Sequence, residues 1–290
     1  MLLWAIRPRN DSGLHNRKMA TFGPPFFIRY TCSGCSSVSE PVTTMAHTNI
    51  GCSGFSYDHW LGTFYPEGLA KKKWLEYYCS KFSTVELNVT FYRLVKPTTF
   101  EQWRDETPAN FTFSVKGSRY ITHIKRLALP EDALERFFEG VLYLEGKLAA
   151  VLWQLPPNMS SDLDLFARFL ESLQRYQVRN VFEFRHASWL SDDVVTLCRT
   201  HRVSLCMADW PPFISTTPLT ADLVYIRRHG RNGSYDGRYS LEELAADAQR
   251  IRNYMKAGKD VLMYFNNDMH GHAPRNALEL MDLLGKKDRE

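Results

Sequence analysis

Ionisable side chains recur at the ends of short apolar runs in this chain, and their types suit a pocket for an anion. Glu86 and Asn88 close the run Thr84-Val-Glu-Leu-Asn88, and Lys116 closes Phe111-Thr-Phe-Ser-Val-Lys116. Glu183 and Arg185 close Val181-Phe-Glu-Phe-Arg185, while Arg227, His229, Tyr264 and Asn266 stand late in two further runs. Two carboxylates in unlike surroundings can divide into a general acid and a general base. A lysine stripped of water can neutralise developing charge or act as a nucleophile. Arginine forks match phosphate and carboxylate. The candidate catalytic residues are therefore Glu86, Lys116 and Glu183. The candidate substrate-binding residues are Asn88, Tyr92, Arg119, His123, Arg185, Arg227, His229, Tyr264 and Asn266, with Phe91 and Trp153 as further walls. The expected chemistry is metal-independent acid/base work, of a hydrolase or lyase kind, on a small phosphate- or carboxylate-bearing ligand. The cofactor stays open.

Three other readings compete. A self-neutralising network, with Glu86 and Glu183 paired to Lys116, Arg185 and Arg227, would be purely structural. Against it stands desolvation, which costs several kcal/mol per buried ion and which pairing often only offsets. A divalent-metal phosphoesterase would draw ligands from Glu183, Asp209 and His229 with His186 or His123, but no HxH or HExxH spacing supports it. Binding without turnover, of nucleic acid or a phosphorylated ligand, would use the basic and aromatic residues interleaved from Lys116 through Arg119, Tyr120, His123 and Lys125 to Arg126. No Gly-x-Ser-x-Gly elbow marks a serine nucleophile. Tyr235 and Tyr239, after His229-Gly230, would form a lid or contact a ligand.

Elements must hold these groups together, and strand alternation names them, because successive side chains point to opposite faces. Predicted strands are Thr48–Cys52, Thr84–Asn88, Phe111–Lys116, Ala149–Gln154, Asn180–Arg185, Val203–Asp209, Leu223–Arg227 and Val261–Phe265. Apolar partners outward leave Glu86, Asn88, Thr112, Ser114, Lys116, Glu183, Arg185, Tyr225, Arg227, His229, Tyr264 and Asn266 inward; the direction of Asp209 stays open. Helical patterns run near Lys72–Lys81, Thr99–Glu106, Glu131–Leu144, Asp162–Tyr176, Asp192–His201, Leu241–Ala257 and Ala273–Leu284. The sixth connection, Trp210 to Ala221, is too rich in Pro and Thr for a regular helix. Pro130 and Ser240 suit helix starts, and Gly258 a helix end. Alternating strands and helices give an α/β fold, a single parallel (β/α)8 TIM-type barrel, irregular around the sixth connection. A doubly wound sheet would want dinucleotide glycine spacing after its first strand, and Gly51-Cys-Ser-Gly54 lacks it.

A chain of 290 residues with 44% hydrophobic side chains suffices for one such domain. Its formal charge of +4 is mild, so net charge gives no support to nucleic-acid binding. No apolar run is long enough to span a membrane, and Met1–Ile6 is too short for a secretory signal, so a cytoplasmic location is expected. Residues 1–45 carry five basic against two acidic side chains without a period. A transit peptide and a zinc or redox element at Cys32 and Cys35 are alternatives there. The preferred reading is an unstructured extension or misassigned start, with the domain filling 46–290. Cys198 and Cys206 sit in apolar runs and read as small buried residues.

Motifs in a fixed order complete the reading. Gly51-Cys-Ser-Gly-Phe-Ser-Tyr-Asp-His-Trp60 with Phe64-Tyr-Pro66 opens the series. Val85-Glu-Leu-Asn-Val-Thr-Phe-Tyr92, Phe113-Ser-Val-Lys116, Thr122-His123 and Leu155-Pro-Pro157 follow. Glu183-Phe-Arg-His-Ala-Ser-Trp189, Arg227-Arg-His-Gly230 and Tyr264-Phe-Asn-Asn267 end it, leading to Ala273 and Asn276-Ala277. From about Ile50 to Leu284 the chain resembles the YecE-like proteins, the family of domain of unknown function 72. The resemblance implies a TIM-type barrel and carries no activity with it. Cys52 and Phe55 depart from the Thr and Trp of the family pattern.

Overall fold

A computed structural model describes residues 46–128, 132–209, 217–230, 233 and 235–285. Pro130, residues 210–216 of the sixth connection, and residues 1–45 with Cys32 and Cys35 lie outside them. The strands are β1 (Thr48–Ser53), β2 (Thr84–Leu87), β3 (Thr112–Lys116), β4 (Leu148–Gln154), β5 (Asn180–Glu183), β6 (Ser204–Ala208), β7 (Leu223–Arg228) and β8 (Asp260–Phe265). All pair in parallel with their sequence neighbours, and β8 pairs with β1 to close the barrel. The helices around it are α1 (Trp74–Lys81), the single turn α2 (Val89–Tyr92), α3 (Pro97–Glu106), α4 (Asp132–Val141), α5 (Leu163–Leu173), α6 (Asp192–Thr200), α7 (Leu241–Lys256) and α8 (His272–Leu283). The expected eight-stranded α/β barrel is the fold. Among the described residues no helix is long and apolar enough to cross a membrane.

Alternation along each strand builds two cores. Val85, Leu87, Phe113, Val115, Phe182, Phe184, Val224 and Ile226 face outward and join helix residues such as Phe100, Phe137, Phe166 and Leu244. Leu152, Val181, Cys206, Tyr225, Leu262 and Tyr264 fill the barrel. The direction of β6 is settled by the same split: Leu205 and Met207 lie outside, Cys206 and Ala208 inside. Gly51 lets β1 approach β2, because a Cβ there would fall 2.2 Å from the Thr84 carbonyl oxygen. Helix ends follow local chemistry. Ser240 and Glu243 form a capping box at the start of α7, and Gly258, at φ +71°, follows its end. The predicted Glu131–Leu144 helix divides, α4 giving way to a 3-10 stretch over Leu142–Lys147.

Candidate functional site

The late positions of β2, β3, β5 and β7 converge at the C-terminal end of the barrel, where βα loops meet and barrel enzymes place their sites. At their centre is Arg227, 1% exposed. Its Nη1 donates to Glu183 Oε2 at 2.6 Å, and its Nη2 donates to Glu86 Oε1 at 2.8 Å and to Ser53 Oγ at 3.1 Å. Arg185 pairs with the other Glu183 oxygen. Tyr225 donates its hydroxyl to Glu86 Oε2 at 2.6 Å. Asn88 donates to Ser53 Oγ at 2.9 Å, and Ser53 itself donates to Glu86. Burial acts to raise the Glu183 carboxyl, but Arg185 and Arg227 outweigh it and hold the group well below the usual range. Glu183 is therefore a fixed carboxylate, poorly suited to donate a proton. The four ionised groups cancel: two guanidinium ions face two carboxylates.

His229 has one tautomer open to it. Its Nε2 faces Arg227 Nη1 and Arg185 Nη2, each at 3.0 Å, and arginine can only donate. The ring proton must then sit on Nδ1, which donates to Asp209 Oδ1 at 3.1 Å. Burial and the Arg227 charge lower the imidazole below its ordinary value, so it is neutral. Asp209, whose direction the sequence left open, also accepts from the His229 backbone N–H at 2.7 Å and from the Tyr239 hydroxyl. These bonds offset its burial and keep it ionised. The possible metal ligands are thus dispersed in other bonds: His186 Nδ1 meets Ser188 Oγ, and His123 Nδ1 meets Thr122 Oγ1, both at 2.9 Å. Among the described residues no group of three His, Cys, Asp or Glu side chains gathers as metal ligands.

Lys116 stands apart from this network. With both glutamates held by arginines, its Nζ has no carboxylate partner among the described residues. It lies 4.3 Å from the centre of the Phe91 ring. Burial, and then the Arg227 guanidinium, push its ammonium down to about 8. A π-helical turn, Tyr120–Ile124, follows β3 and carries His123, which meets Phe91 edge-on with ring centres 5.0 Å apart. Burial, Lys116 and Arg119 push His123 down to about 4, so it too is neutral.

The structure divides the predicted site residues. Glu86, Asn88, Glu183, Arg185, Arg227 and His229 form one bonded cluster. Lys116 and His123 flank it on Phe91, and Asn266 is buried one residue past the end of β8. Tyr264 is inside the barrel, its hydroxyl bonded to those of Thr84 and Ser114 at 2.8 and 2.9 Å, and it serves as floor. Tyr92 is 77% exposed, because the chain turns into α2 after Leu87 and the helical step sends Phe91 and Tyr92 to different sides. Tyr92 and Arg119 line an outer groove of about 550 Å³ that shares Phe91 with the inner cluster. Trp153 is no wall; it faces outward, bonds Asn180 Oδ1 at 2.8 Å and packs on Phe137 and Phe169. Tyr239 is no lid either. It is 5% exposed, and its hydroxyl ties Gly230 N–H to Asp209. Tyr235, exposed, sets its ring edge against His229. The residue that sequence reasoning missed is Ser53: with Ile50 and Cys52 outward, one more step along β1 would have placed it inside.

Relatives share this architecture. The chain is 28% identical over 268 residues to UPF0759 protein YunF of Bacillus subtilis, covering 81% of this chain and 94% of that protein. It is 32% identical over 100 residues to UPF0759 protein YecE of Escherichia coli, covering 34% of this chain and 37% of that one. The crystal structure of a DUF72 family protein from Thermotoga maritima superposes with a TM-score of 0.73 at 31% identity, covering 82% of this chain and 99% of that one. The sequence profile described as Protein of unknown function DUF72 matches residues 49–290, and the chain belongs to that family.

Proposed function

We propose that the barrel mouth binds a small anionic compound, bearing phosphate or carboxylate, and acts on it by metal-independent proton transfer. The observation that carries this reading is the pattern of ion pairing. Glu86 and Glu183 are paired with Arg185 and Arg227, and Asp209 is taken up by His229 and Tyr239, which leaves Lys116 a half-buried cation with no carboxylate bonded to it among the described residues. An anion entering the mouth supplies the partner that Lys116 lacks in a low-dielectric setting, where it counts most. Two buried polar atoms also ask for a partner: Arg227 Nε, a donor, and Asn88 Oδ1, an acceptor, have none among the described residues. Lys116 is the proton carrier in this scheme, since a group near 8 exchanges protons readily at neutral pH. Glu86 and Glu183 hold Arg227 in place and set the field, a role different from the acid/base pair that the sequence suggests.

The test is a melting-temperature screen of the full chain with inorganic phosphate, phosphorylated metabolites and short organic acids, beside Lys116→Met. Stabilisation of the wild type by an anion, lost in Lys116→Met, is the expected result. No shift with any anion would refute it. A second reading, single-stranded nucleic acid along the outer groove, is favoured by exposed Tyr92 and Tyr120 beside Arg93 and Arg119. Short oligonucleotides in the same screen separate the two, because binding to a backbone weakens steeply with salt.

A further inference from the structure

Lys116 closes β3 with the face of Phe91 on its Nζ and the charges of Arg227 and Arg185 acting on it from the barrel. The two acids whose charges act on it, Glu86 and Glu183, are already bound to those arginines. Loss of water around the amine and the neighbouring Arg227 guanidinium both disfavour an ammonium ion, while the Phe91 face favours it; with no carboxylate bonded to Nζ the first two prevail, a recurring way of activating a lysine amine. We propose that Lys116 is a Schiff-base nucleophile whose substrate is a small oxo-acid, a carboxylate with a ketone or aldehyde carbon beside it. This rests on the anion-binding reading above and narrows its ligand to that class.

The step balances within the site. The Nζ lone pair of the free amine attacks the carbonyl carbon, the new C–N bond forms, and the C=O π pair moves to oxygen. The proton shed by nitrogen goes to that oxygen, giving a neutral carbinolamine. Protonation of its hydroxyl from solvent lets water leave, while the nitrogen lone pair makes the C=N bond. Summed, an ammonium ion and a carbonyl become an iminium ion and water, with no oxidant or reductant needed. The iminium keeps the one positive charge that the glutamates leave uncancelled, and the carboxylate of the substrate then neutralises it. A neutral carbonyl compound would leave that charge unmatched.

The test treats the full chain with pyruvate and sodium cyanoborohydride at neutral pH, then maps modified lysines by peptide mass spectrometry. With Lys116 at about 8, its free-amine fraction at neutral pH exceeds that of an ordinary lysine by roughly a hundredfold or more. Lys116 is expected to be labelled at least about tenfold faster than the exposed Lys71 and Lys72. Acetone with the same reductant should label it far more slowly, and Lys116→Arg should abolish the fast site while melting like the wild type. Labelling of Lys116 no faster than Lys71 overturns the inference, and this readout needs no variant to fold. If that happens while phosphate still raises the melting temperature, the Schiff base fails and the anion site stands. Equal labelling by pyruvate and acetone, with no melting shift from phosphate, overturns the anion site and the oxo-acid assignment with it.

Discussion

Replacing Arg227 with Met tests the network most directly, because one guanidinium there serves two buried carboxylates. Arg227→Met keeps most of the side-chain volume but removes the donors to Glu183, Glu86 and Ser53. Removing one partner of a buried ion pair costs about 3–5 kcal/mol, since the other charge is left uncompensated. Glu183 keeps Arg185, and Glu86 keeps Tyr225 and Ser53, so the loss stays within that range despite the double role. For a domain of this size the expected fall in melting temperature is roughly 6–20 °C. Its pH dependence has a definite sign. In the wild type the Glu183 folded value is depressed, so its contribution is present above the unfolded carboxyl value and is lost only as pH falls through the lower folded one. In the variant Glu183, left with Arg185 alone, is held down less, and the difference between the two proteins shrinks as that carboxyl protonates. The gap between the two proteins must therefore narrow as pH falls from about 7 to about 4, into the range where the unfolded carboxyl protonates. Differential scanning fluorimetry at both values measures it. A gap under about 3 °C, or one that stays constant with pH, would refute the claim that Arg227 holds these charges together.

Lys116→Met should change the alkaline limb of the stability curve. The folded lysine is depressed to about 8, so it binds fewer protons than the unfolded chain from there up to the ordinary lysine value, and wild-type stability should climb with pH across that window. Urea midpoints that run parallel for wild type and Lys116→Met above about pH 8 would contradict it. Ser53→Ala removes a donor to Glu86 and an acceptor for Asn88 and Arg227, and is expected to cost about 1–3 kcal/mol in denaturant melts; a neutral result would mean that Ser53 is not part of the network. Gly51→Ala drives a Cβ onto the Thr84 carbonyl, where backbone cannot yield as a side-chain tip does, and should lower the yield of folded protein and its melting temperature. Chelator should leave the melting temperature unchanged, and a loss restored by one divalent metal would revive the phosphoesterase reading.

How far the site was legible depends on what kind of fact each residue required. Alternation fixes direction, so Glu86, Glu183, Arg185, Arg227 and His229 were found inside from the apolar partners beside them. It fails where the strand ends. Nearness to the end of β2 puts Tyr92 at the mouth, but the turn α2 carries it outside, and Ser53 lies one residue past the predicted end of β1 at Cys52. Trp153 was read by its nearness to the end of β4, although Val151 two residues before already pointed outward. Pairing is a different matter, because direction does not say which charge meets which. A glutamate pair in a barrel mouth looks like an acid and a base until Arg227 is seen to bridge them. Once it is, neither carboxylate has an unpaired charge to offer a substrate, and the argument for chemistry passes to the group left over. That group is Lys116, singled out because the acids that would have matched it are spent on its neighbours, an outcome of three-dimensional charge balance that no run of residues displays.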